Sequence, residues 1–94
     1  MITKDEATTI VLEQIKRLES PGVPFAINEV ATIEKPFGWV FFYNSRRFLE
    51  TRDELSQLAG NGPIIVNRTT GAVVLGRSNK PVQTFIEEYE RSLG

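Results

Sequence analysis

The chain has 94 residues with a net charge of −1, 40% of them hydrophobic and 24% charged, the profile of one small globular domain with a modest core and no global charge that marks a polyanion or a membrane as partner. It contains no cysteine and no histidine, which removes disulfide scaffolds, zinc and iron–sulfur sites, thiol catalysis, and the commonest general base and metal ligand. Binding without metal or cofactor is therefore the expectation, rather than catalysis.

Thr3 and Glu6 have the spacing of a capping box, and Ala7, Val11, Ile15 and Leu18 then recur on one face. This predicts a helix over 4–19, stopped by Ser20-Pro21-Gly22. The N-terminus lacks the basic and apolar regions of a secretory signal, and the longest apolar run, Trp39 to Tyr43, is far short of a membrane span. A cytoplasmic protein is expected.

Residues 25–33 alternate as a half-buried strand, with a bulge near Asn28-Glu29 to turn Val30 inward. After Lys35-Pro36, residues 38–43 are apolar on both parities and read as a central strand covered on both faces. Residues 44–61 show no clear period. Phe48 and Leu49 are apolar islands among charges, and Asp53 is placed to cap a short helical turn through Leu55, Leu58 and Ala59. Gly60-Asn61-Gly62-Pro63 reads as a turn. Residues 64–66 and 72–75 are two short strands around a hairpin loop in which Gly71 supplies a left-handed residue. Pro81 opens a final helix at its first turn, with Val82, Phe85, Ile86, Tyr89 and Leu93 on its apolar face. The order is helix, two strands, an irregular segment, two strands, helix. It predicts an α+β fold with a largely antiparallel sheet of four to five strands between N- and C-terminal amphipathic helices.

Few motifs carry chemistry. Residues 71–78 nearly spell a phosphate-binding loop, but the stretch between the glycines is itself a strand and Arg77 replaces the lysine. Asn67-Arg68-Thr69 has the glycosylation pattern, yet reads as a hairpin turn. Glu87, Glu88 and Glu90 read as a solvated helix surface. Residues 44–80 carry six basic residues against three acidic ones, but three of the basic residues stand beside carboxylates, and nucleic-acid binding needs a more strongly basic footprint. Trp39, the single tryptophan, reads as a core anchor.

Several segments together resemble a known family. They are Met1 to Ala7, Phe37 to Ser45, Phe48 to Thr51, Leu58 to Val66, Gly71 in its turn, and the Glu87-Glu88-Tyr89 helix. In this order they are similar to the YrhB-like domain, also called immunity protein family thirty-five of bacterial polymorphic-toxin systems. The resemblance spans essentially the whole chain. It implies an α+β domain with structural positions at Gly38, Trp39, Gly60, Asn61, Gly62, Pro63 and Gly71. It also implies a non-enzymatic protein that binds and neutralises a cognate toxin, without cofactor, nucleic acid or membrane. A chaperone-like accessory role stands second and an RNA-binding module third, and the oligomeric state is left open.

Loops on a rigid scaffold commonly bear recognition, so the aperiodic segment 45–61 is where a partner is expected to dock. Arg46, Arg47, Glu50, Arg52, Asp53, Glu54 and Gln57 would form a charged rim around the apolar Phe48 and Leu49. The plainer alternative has Phe48 and Leu49 covering the central strand, with the charges merely solvated.

Overall fold

The computed structural model describes residues 1–58, 61–77 and 79–94. Helix α1 spans Lys4–Leu18. Its capping box is closed in both directions: the Glu6 amide donates to the Thr3 hydroxyl at 3.1 Å, and the Thr3 amide donates to the Glu6 carboxylate at 3.0 Å. The helix stops one residue before the expected end, and the Glu19 carboxylate instead accepts the Phe25 amide at 2.9 Å.

The expected strand over 25–33 is divided. Strand β1 is Phe25–Ile27 and β2 is Ile33–Lys35, with a 3-10 turn at Glu29–Ala31 between them. The Asn28 amide donates to the Phe42 carbonyl at 2.8 Å, and the Ala31 amide then donates back to the Asn28 carbonyl at 3.1 Å. Coiling replaces the expected bulge because the chain leaves one sheet for another here, and Val30 is 93% exposed rather than buried. The stretch 38–43 divides likewise into β3, Gly38–Phe41, and β4, Tyr43–Ser45, with Phe42 as the transfer point. The result is a two-stranded antiparallel ribbon, β1-β4, beside a four-stranded antiparallel sheet, β2-β3-β5-β6. The fold is α+β, as expected, but its strands lie in two sheets.

Strand β5 is Asn61–Asn67 and β6 is Val73–Arg77. Residues 61–63 are therefore strand rather than turn. Their pairing with β6 slips in register between Asn61 and Ile64, where Pro63 has no amide to donate; an irregularity is where a sheet tolerates proline. Gly62 is required there because a Cβ would overlap the backbone of Gly76. Gly60 and Ala59 lie outside the described residues. In the hairpin loop the Asn67 side chain accepts the Thr69 and Thr70 amides at 2.9 and 3.1 Å, and Gly71 has φ 75°. Helix α3 is Val82–Ser92, with Pro81 as its cap rather than within its first turn.

Helices α1 and α3 cover opposite faces of the four-stranded sheet. Ala7, Val11 and Ile15 of α1 pack with Phe25, Trp39, Phe41, Ile64 and Val66. On the other face Val40 and Ile65 meet Ile86 of α3, flanked by Phe37, Phe85 and Tyr89. Side chains alternate along a strand, so Trp39 and Phe41 enter one core and Val40 the other. That is why this stretch is apolar on both parities. Gly38 begins β3 with φ 149°, and a Cβ there would fall on the Val66 carbonyl oxygen. The Arg68 guanidinium lies 4.6 Å from the centre of the Trp39 ring and pairs with Glu34 at 3.0 Å, closing the edge of the first core.

Candidate functional site

The two-stranded ribbon holds up the segment that follows it. Asn44 and Ser45, at the end of β4, are its anchors. The Asn44 side-chain oxygen accepts the Leu58 amide at 2.9 Å as well as the neighbouring Ser45 amide at 2.8 Å. Ser45 is buried; its hydroxyl donates to the Ser56 carbonyl at 2.5 Å and accepts the Phe48 amide at 3.0 Å. One hydroxyl thus caps a helix and ties down the far end of the same loop. From it grows α2, Arg46–Thr51, which closes at Arg52 in the left-handed region with φ 59°. A second 3-10 turn, Glu54–Ser56, follows with Asp53 as its cap, as expected, although the turn ends before Leu58.

Polar side chains stitch the segment internally. The Asp53 carboxylate accepts the Leu55 amide at 3.1 Å and lies 3.3 Å from the Arg47 Nε. These contacts, the Leu55 amide first and then Arg47, hold the Asp53 carboxyl below its ordinary range. The Arg52 guanidinium sits over the Phe48 ring at 5.4 Å. The Asn61 side-chain Nδ2 donates to the Tyr43 carbonyl at 2.7 Å, joining β5 to the ribbon. Burial raises the Tyr43 phenol above its ordinary value.

The structure brings Arg46, Arg47, Glu50, Arg52, Asp53 and Glu54 onto one short segment, with Asp53 half-buried and the others exposed. Phe48 and Leu49 are half-buried and face a cleft of about 520 Å³ shared with Phe42 and Pro81. The residue that projects is Leu55, 96% exposed, on the wall of a cleft of about 360 Å³ formed with Val23, Pro24 and Leu58. The available signal for Leu55 was a lone leucine between Glu54 and Ser56 in a polar run, directly after a capping aspartate.

Of the remaining expected positions, Trp39 is 2% exposed; Gly38 begins β3, Asn61, Gly62 and Pro63 begin β5, and Gly71 lies in the hairpin loop. On α3, Glu87 and Glu90 are exposed, while Glu88 takes Lys80 at 2.9 Å. No helix is long and apolar enough to cross a membrane among the described residues.

No solved structure matches the chain. A relative in Escherichia coli (strain K12), named uncharacterized protein YrhB, is 40% identical over 53 residues, 56% of this chain and 56% of that protein. The chain thus aligns with little more than half the length of this curated relative. The family model described as Immunity protein 35 matches residues 5–92, a span from the first turn of α1 to the last residue of α3, and the chain belongs to that family.

Proposed function

We propose that the protein is a non-enzymatic immunity protein that binds a cognate bacterial toxin domain in the cytoplasm and neutralises it, using the surface of residues 45–58. The family supports the toxin partner. The observation that carries the location is Leu55, an exposed aliphatic side chain that shares a cleft with Arg47 and directly follows Asp53 and Glu54 in the chain, on a segment that Ser45 and Asn44 hold in place. An apolar anchor inside a charged rim is the arrangement of protein-binding hot spots, and a stable complex needs only about 800 Å² from each partner. The mixed charges suit steering and partner discrimination. A nucleic-acid role fits less well: Arg47, Arg68 and Lys80 are each engaged by a carboxylate, and the chain carries a net charge of −1 rather than the basic footprint that a phosphate backbone calls for.

The test is protection of cells expressing the toxin domain encoded in the same locus, together with binding to that domain in vitro. Leu55→Asp should weaken binding by at least tenfold through faster dissociation. Arg46→Glu with Arg47→Glu should slow association, with both proteins folded by circular dichroism. Folded variants that protect and bind as wild type would move the interface elsewhere, first to the Glu87 and Glu90 face of α3.

A further inference from the structure

The four-stranded sheet ends differently at its two edges. β2 has three residues, two of them Glu34 and Lys35, and runs into Pro36, features that block further strand pairing. β6 has five residues, Val73-Val74-Leu75-Gly76-Arg77, with neither carboxylate nor proline. Among the described residues it pairs only with β5.

The direction of its free backbone groups follows from the ladder. The Asn67 amide donates to the Ala72 carbonyl at 2.9 Å, and the register pairs Val66 with Val73, Ile65 with Val74 and Ile64 with Leu75. Hydrogen-bonded pairs alternate in an antiparallel ladder, so the peptide groups of Val74 face β5 and those of Val73 and Leu75 face outward. On the α1 side of this edge Leu75 is 46% exposed, next to Leu18 at 42%. On the α3 side Val74 is 36% exposed.

We infer that β6 pairs antiparallel with β6 of a second copy of this chain, about a two-fold axis at Leu75, so that the sheet continues from one copy into the next. The strand is complementary to itself in that register. Leu75 meets Leu75 and brings the two Leu18 side chains to the same face. Val74 lies opposite Gly76, which has no side chain to obstruct it. Arg77 lies opposite Val73, so the two arginines stand four residues apart along the pair, about 13 Å, beyond a Debye length of about 8 Å at physiological salt. The edge would accept a strand from another protein too, but the self-matching register and the separated charges favour a second copy.

The assembly state is read by sedimentation velocity and light scattering over roughly 1–300 µM, a range that spans weak to moderate self-association. The wild-type chain should rise from 10.6 kDa towards twice that mass, and Leu75→Lys should stay monomeric while keeping its circular dichroism spectrum. Because the chain has no cysteine, Leu75→Cys is a clean probe: it should oxidise to a covalent dimer much faster than Val30→Cys, a control at a position twice as exposed. A wild-type chain that remains at 10.6 kDa throughout overturns the inference, as does Leu75→Cys cross-linking no faster than the control. A monomer whose β6 amides become protected from exchange only when the toxin domain is added also overturns it, and assigns the edge to that partner. The Arg46→Glu, Arg47→Glu protein should dimerise as wild type, so failure of the toxin-docking reading and failure of this one are separable.

Discussion

Removing the Trp39 side chain tests the central packing of the fold. The residue is 2% exposed and touches the core that α1 forms with β3 and β5. A buried aromatic removes about 150–250 Å² from water, which at about 25 cal/mol per Å² is about 4–6 kcal/mol. Alanine keeps part of that contact and leaves a cavity, so Trp39→Ala should cost about 3–5 kcal/mol. A domain of this size has about 5–15 kcal/mol in total, and its melting temperature should fall by about 15–30 °C. Trp39→Phe should cost much less than its lost area implies. No acceptor among the described residues reaches the buried indole Nε1, and an unmet buried donor is itself a penalty of about 1–3 kcal/mol, which phenylalanine removes. Because Trp39 is the only tryptophan, urea unfolding of both variants is followed by far-ultraviolet circular dichroism. The reasoning is refuted if Trp39→Ala unfolds at the wild-type midpoint, or if Trp39→Phe is as damaging as Trp39→Ala.

Gly38→Ala should destabilise by about 2–5 kcal/mol, since it combines an unfavourable backbone region with a clash against the Val66 carbonyl; a urea midpoint within error of wild type would contradict this. Ser45→Ala loses both the α2 cap and the tie to Ser56, at about 1–3 kcal/mol. Amide exchange should quicken across 46–58 while β3 and β5 stay protected. Asp53 has its carboxyl lowered from an ordinary 3.8 in the folded state, so its contribution is present above that value and is lost as pH falls through the lower folded value. Asp53→Asn should therefore be less stable than wild type at pH 7, and the gap should close in acid; a gap independent of pH would assign the effect to something other than the charge.

The readable parts of the sequence were those where local chemistry and tertiary demand agree. Thr3 and Glu6 cap α1 whatever packs against it, and the stripe from Ala7 to Ile15 has one core to enter. The double-sided apolarity of β3 reported the two helical layers directly. The disturbance at Asn28 was legible in the broken alternation, but as a bulge rather than a change of sheet; the break at Phe42 was not, because Phe42 is as apolar as its neighbours. Residues 60–63 carried turn chemistry, two glycines and a proline, but within β5 those residues accommodate a register slip and a close approach to Gly76. The site was half legible. Its charges and the Asp53 cap were visible, and cover over Phe48 was one of two readings, whereas the exposure of Leu55 depends on where Ser45 pins the loop.

That pinning has a consequence for how the molecule folds and varies. The central pairing of the sheet joins β3 to β5, which closes a loop made of β4, α2 and the residues up to Asn61. Closing such a loop is the main entropic hurdle in forming the sheet, but its cost grows only logarithmically, by about 0.6 kcal/mol for a doubling of length. Outside β4, the core-packed Phe42, Tyr43 and Leu58, and the anchors at Asn44, Ser45 and Asn61, the excursion can be lengthened, shortened or rewritten with little effect on the stability of the two cores. A scaffold of this kind can exchange one recognition surface for another by insertion as readily as by substitution, while the helices and the four-stranded sheet stay as they are.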